Sequence, residues 1–155
     1  MTEQKQVTPE SLYELRWVSD PQLAPDGQRV AYVEHWVEEI EKDGNKRPAY
    51  RTAVYLSEAA DQRSRRLTYA AKGNDSQPRW SPDGTALAFV STRDDDKPQI
   101  FVLNLAGGEA QQVTKTEELS EGVDSFDWHP SGTMFCFASN GHKDEDEQKR
   151  LPVQE

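Results

Sequence analysis

Apolar positions along the chain fall in short bursts, the longest unbroken ones only four or five residues, separated by stretches rich in Pro, Asp, Ser and Gly. Three bursts follow the same kind of break. Asp20-Pro21-Gln22-Leu23-Ala24-Pro25-Asp26-Gly27 leads into Arg29-Val30-Ala31-Tyr32-Val33. Gln77-Pro78-Arg79-Trp80-Ser81-Pro82-Asp83-Gly84 leads into Ala86-Leu87-Ala88-Phe89-Val90-Ser91. Phe126-Asp127-Trp128-His129-Pro130-Ser131-Gly132 leads into Met134-Phe135-Cys136-Phe137-Ala138-Ser139. Gly27, Gly84 and Gly132 stand 57 and 48 residues apart, near the ~40–50 residues of a four-stranded propeller blade.

The repeated core predicts a hairpin. Proline is preset for the second position of a tight turn, Asp or Ser hydrogen-bonds the backbone that follows, and Gly takes a positive φ at little steric cost. The flanking runs rich in Trp, Phe, Val and Ala suit buried or half-buried strands. The structural turn residues are therefore Pro25, Asp26 and Gly27; Pro82, Asp83 and Gly84; and Pro130, Ser131 and Gly132. A Cβ at Gly84 is expected to cost ~1 kcal/mol or more, and one at Gly73, taken as exposed, much less.

The intervals between the turns match as well. Gln99 to Leu105, the turn Ala106-Gly107-Gly108-Glu109, and Ala110 to Thr114 read as strand, turn, strand. Thr52 to Ser57 and Ser64 to Thr68 repeat that order, with Leu67-Thr68 in the place of Val113-Thr114. Each unit holds four antiparallel strands, which makes it a blade.

The chain divides into an N-terminal segment with a short helix (1–19), blade 1 (20–70), blade 2 (71–118), the first half of blade 3 (119–141) and a charged tail (142–155). In the helix, Thr8 is the expected N-cap, Pro9 the first helical residue, and Leu12 and Leu15 the core-facing pair. Glu38 to Arg47 reads as a polar loop at a long hairpin tip. The fold expected is all-β: an incomplete β-propeller of about two and a half four-stranded blades of WD-like repeats. Propellers close with ~4–8 blades, so the expected partners are the missing blades, or a second copy held through the open edge of the strand Met134 to Ala138.

Composition narrows the function. A net charge of -10 and a pI near 4.8 oppose an electrostatic grip on nucleic acid or on an anionic membrane. Hydrophobic residues are 34% of the chain and the mean hydropathy is -0.92, so the core must be small. The single cysteine, Cys136, allows no internal disulfide and no Cys-rich zinc site. No apolar run approaches the ~20 residues of a membrane span, and Met1 to Gln6 shows no basic-then-apolar leader. A cytoplasmic protein is expected.

Candidate chemistry is sparse. Neither G-x-S-x-G nor G-x-G-x-x-G occurs. Asp127, His129 and Cys136 would share one face of the third hairpin, as a Cys–His nucleophile requires. The structural alternative makes Cys136 a small core residue and puts His129 in the place of Ser81; it is preferred, since nothing cationic would lower the thiol pKa. Asp94-Asp95-Asp96 and Asp144 to Glu147 lack the spacing of a calcium loop and read as solvated tips. His35 and His142 have no partner at metal-ligand spacing and are expected at the surface. Trp80 and Trp128 occupy equivalent repeat positions and read as packing elements. No catalytic residue, metal or cofactor is assigned.

The segment Pro9 to Gln22 resembles the amino-terminal opening of acylaminoacyl-peptidase and dipeptidyl aminopeptidase-like members of the prolyl oligopeptidase family. Pro78 to Arg93, followed by Gln99 to Thr114, is similar to the WD-like blade repeat of those propellers and to the repeat of the Tol-system propeller protein. The opening segment favours the peptidases. The resemblance implies a propeller that caps an α/β-hydrolase domain and admits only oligopeptides, the catalytic triad lying in that following domain. This chain would then be structural and gating, inactive alone. The competing expectation is a protein-interaction propeller module that is not an enzyme.

Overall fold

Turn chemistry at regular intervals forces the chain back on itself, and the result is a succession of antiparallel hairpins. The computed structural model describes residues 8–60, 63–94, 97–115 and 121–140. Among these residues a short 3-10 helix, Pro9–Glu14, precedes ten strands. Strands β1 (Arg16–Leu23), β2 (Arg29–Lys42), β3 (Asn45–Glu58) and β4 (Ser64–Arg66) form one sheet in chain order. Strands β5 (Asp75–Trp80), β6 (Ala86–Ser91), β7 (Gln99–Asn104) and β8 (Gln111–Gln112) form a second, and β9 (Ser125–Trp128) with β10 (Phe135–Ala138) a hairpin. All neighbouring strands are antiparallel. The second sheet touches both the first sheet and the hairpin, while those two do not touch each other among the described residues. The arc is an open part of a propeller.

Strand β6 shows why its sequence carries five apolar residues in a row. Its pleat sends Leu87 and Phe89 to a cluster with Ala31, Val54 and Phe101 of the first seam. Ala88 and Val90 go to the opposite side, with Ile100, Val123 and Phe126 of the second seam. A strand buried on both faces reads as a continuous apolar run rather than as an alternation. By contrast β1, the first strand of the outer sheet, is exposed along most of its length.

Three expectations are corrected by the fold. Glu38 to Arg47 is not a loop: the β2–β3 ladder runs to the pair Lys42 and Asn45. Asp43 and Gly44 alone make the turn, with φ of 54° and 72°. An Asp-Gly pair accepts positive φ at both centres, which matches the twist of the flanking strands. The polar ladder above it is tied by Arg51 to Glu38 and Lys46 to Glu39, both at 2.6 Å.

The N-terminal helix is a six-residue 3-10 segment with Thr8 at its N-cap position, closed by the Ser11 side chain two residues after Pro9. The Thr8 N–H donates to Ser11 Oγ at 3.1 Å, and the Ser11 N–H returns to the Thr8 carbonyl. Leu15 is 53% exposed rather than facing the core, because β1 starts one residue later. The Leu12 side chain lies outside the described set. Gly73 is not a permissive exposed position either: its φ is 74°, and a Cβ there would run into the Thr92 carbonyl.

Two strands share an irregularity that the third repeat lacks. Asp20 and Gln77 precede Pro21 and Pro78, adopt φ of 47° and 52°, and break the register of β1 and β5. Ser125 holds the same repeat position, but Phe126 follows it in place of proline, and β9 pairs with β10 without a shift. The bulge re-aims one side chain towards the next blade.

Candidate functional site: the turns and seams between blades

The three repeat turns are built alike. Gly27, Gly84 and Gly132 donate their N–H to the carbonyls of Ala24, Ser81 and His129 at 2.9, 2.9 and 2.8 Å. Those three residues in turn donate across the hairpin to Arg29, Ala86 and Met134. The glycines have φ of 68°, 70° and 73°. Asp26 Oδ1 accepts the Gln28 N–H at 2.8 Å, and Asp83 Oδ1 accepts the Thr85 N–H at 3.0 Å. The Gln28 N–H is the main cause holding the Asp26 carboxyl below its ordinary range, with Arg29 adding to it. For Asp83 the Ser81 hydroxyl comes first and the Thr85 N–H second. In the third turn Ser131 replaces the acid and its hydroxyl meets Thr133 Oγ1 at 2.8 Å.

Adjacent turns stack. A Cβ at Gly84 would lie 3.5 Å from Pro25 Cδ, and one at Gly132 3.6 Å from Pro82 Cδ. The tryptophans fasten each seam: Trp80 Nε1 donates to the Gln22 carbonyl at 2.9 Å, and Trp128 Nε1 to the Arg79 carbonyl at 3.0 Å. Gln22 and Arg79 are themselves equivalent repeat positions, so the same staple is used twice. The bulged residues add a second tie. Arg79 Nη1 pairs with Asp20 at 2.9 Å across the first seam, and the Gln77 side-chain amide donates to the Asp124 carbonyl at 2.8 Å across the second.

The face carrying Asp127, His129 and Cys136 forms as the register requires, with Asp127 opposite Cys136. Cys136 is nevertheless exposed and not a core residue. Phe126, Trp128 and Phe135 occupy the seam face, and the pleat turns Cys136 the other way. His129 takes the place of Ser81, as its backbone bonds show, and its Nδ1 accepts the Ser131 N–H at 3.1 Å. Its nearer ring nitrogen thus serves the turn. Among the described residues no group of three His, Cys, Asp or Glu could hold a metal. His35 is half-buried, stacked on Trp17 at 5.1 Å and bonded to Ser19 Oγ at 2.6 Å; burial lowers its pKa from 6.5. Asp95, Asp96, His142 and Asp144 to Glu147 lie outside the described residues.

Sequence reasoning missed the seam cations and the strand-end threonines. Thr68 and Thr114 are buried, and their hydroxyls accept the N–H groups of Val54 and Ile100 at 3.0 and 2.9 Å. Their repeated place in the sequence was visible. That the hydroxyl completes a ladder bond was not.

The sequence that builds these turns and staples matches one family model along most of its length, residues 11–142. The chain belongs to the PD40 family, the TolB beta propeller domain. It is 37% identical over 128 residues to the uncharacterized peptidase YuxL of Bacillus subtilis, covering 83% of this chain and 18% of that protein. It is 28% identical over 128 residues to dipeptidyl-peptidase 5 of Porphyromonas gingivalis, covering 77% of this chain and 17% of that one. Its fold is also that of the acylaminoacyl peptidase of Pyrococcus horikoshii, with a TM-score of 0.59 at 22% identity over 88% of this chain and 19% of that one. The chain therefore spans under a fifth of each relative and is homologous to the propeller portion of peptidases.

Proposed function

We propose that this propeller portion works as the structural and gating element of a serine peptidase of the prolyl oligopeptidase type. Its partners would be the remaining blades and a hydrolase domain, and its substrates oligopeptides small enough to pass a propeller. The observation that carries the reading is the 37% identity to a peptidase along 83% of the chain. The seams supply a physical reason for the role. Repeated staples and stacked turns make a stiff arc, and a filter must hold its aperture while substrates press on it.

The test is a chimera in which residues aligned with YuxL replace the matching segment of that peptidase. The chimera should cleave short chromogenic peptides and spare folded proteins, while the 155-residue chain alone should cleave neither. Turnover by the chain alone that a serine-directed covalent inhibitor abolishes would overturn the gating role. A folded chimera that no longer discriminates by substrate size would favour the second reading, a protein-interaction module, which the family's TolB description supports.

A further inference from the structure

We propose that the second seam carries a binding site for an arginine side chain of an extended peptide, built from the Asp83 carboxylate, the Trp128 indole and the Gly132 carbonyl. The first seam shows what such a site holds. There the Arg29 guanidinium contacts Asp26 Oδ2 through Nε at 2.8 Å and Nη2 at 2.7 Å. Nη2 also donates to the Gly84 carbonyl at 3.0 Å, and Cζ lies 4.8 Å from the Trp80 ring centroid. A carboxylate, a carbonyl and an aromatic face together clasp one planar cation.

Every part of that clasp recurs one repeat later except the cation. Asp83 stands for Asp26, Trp128 for Trp80 and Gly132 for Gly84, while Ala86 stands where Arg29 did. The frame is metrically the same: indole to carbonyl 2.9 and 3.0 Å, proline to glycine Cβ 3.5 and 3.6 Å. In place of the guanidinium there is a cavity of about 530 Å³ lined by Pro82, Asp83, Ala86, Trp128, Pro130 and Gly132 among others.

The carboxylate is oriented for the purpose. Ser81 Oγ, Thr85 N–H and Thr85 Oγ1 all donate to Asp83 Oδ1. No other described residue donates to Oδ2. It is the same oxygen that, in Asp26, holds the arginine. A planar guanidinium can stack on the indole and donate to carboxylate and carbonyl together, whereas a lysine ammonium is compact and more strongly hydrated. The net charge of -10 adds long-range attraction for a cationic peptide. The inference stands on the repeat geometry and does not depend on the peptidase reading.

The test is a titration of the 155-residue chain with N-acetyl-arginine methylamide, followed by nuclear magnetic resonance at the Trp128 indole N–H and the Thr85 amide. Saturable shifts are expected with a Kd on the order of 1–10 mM for so small a ligand at an open site. The lysine analogue should bind about fivefold more weakly, and Asp83→Asn should weaken the arginine analogue by about fivefold. Ala86→Arg should abolish the titration by filling the site from within and should raise the thermal midpoint. No saturable shift, equal binding of lysine and arginine, or an Ala86→Arg chain that still titrates like the parent would each overturn the proposal. Asp83→Asn changes no volume, so it tests the site even if Ala86→Arg fails to fold.

Discussion

The two seams use one plan and differ in how fully they execute it. Both have the tryptophan staple, the stacked proline and glycine, and an apolar cluster beneath. The first adds a guanidinium over the indole and a carboxylate–guanidinium pair between the bulged strands. The second has Ala86 in place of Arg29 and a neutral amide, Gln77, in place of Asp20. The staple and turn are therefore what a seam requires. The cations are additions that one seam has and the other leaves open.

The largest expected effect lies at the entrance to the second sheet. Gly73→Ala should destabilise by about 3 kcal/mol, since it combines a left-handed backbone with a collision against the Thr92 carbonyl. Gly84→Ala keeps the strain but meets only Pro25 and the Arg29 tip at contact distance, so about 1 kcal/mol is expected. Equal urea midpoints for the two variants would contradict the backbone geometry.

Next comes the cation that separates the seams. Arg29→Ala removes the indole contact and the bonds to Asp26 and Gly84 from a half-buried position, and should cost about 1–2 kcal/mol in urea unfolding. A loss near zero would mean that the first seam gains nothing from being filled. A smaller term is the Asp20–Arg79 pair, whose side chains are 28% and 26% exposed. A double-mutant cycle with Asp20→Asn and Arg79→Gln should give a coupling of about 0.5–1 kcal/mol that shrinks in 1 M salt. A coupling unchanged by salt would argue against an ionic tie.

The smallest effect is a control away from both seams. Burial holds the His35 pKa below 6.5, so the unfolded chain binds the proton more readily than the folded one. Stability from this group is present above pH 6.5 and is lost progressively as the pH falls through that value towards the depressed pKa. Unfolding midpoints measured between pH 7.5 and 5.5 should fall with acidification, and His35→Gln should flatten that part of the curve. An unchanged slope would show that His35 is as solvated in the fold as in the unfolded chain.

The turns were legible in the sequence because Pro-Asp-Gly and Pro-Ser-Gly state their own φ preferences. So was the four-stranded unit, since apolar bursts of strand length recur between them. The Glu38 to Arg47 ladder was not legible, because a largely exposed hairpin tip so rich in charged residues carries the same composition as a loop. Cys136 was misplaced because the sequence gives the period of β10 but not which face meets the neighbouring blade.

The sequence by itself thus determined the tight turns, which depend on residues within about four positions of one another, and, through their recurrence at intervals of 57 and 48 residues, the repeat and the all-β class. The tertiary structure alone decided the seams. Arg29 finds Trp80 and Gly84, Arg79 finds Asp20, and Trp128 finds the Arg79 carbonyl, across 49 to 59 residues of chain. No local preference specifies such a pair. It exists because packing one blade against the next buries the apolar faces of both sheets, and so brings polar groups at equivalent repeat positions within hydrogen-bonding reach.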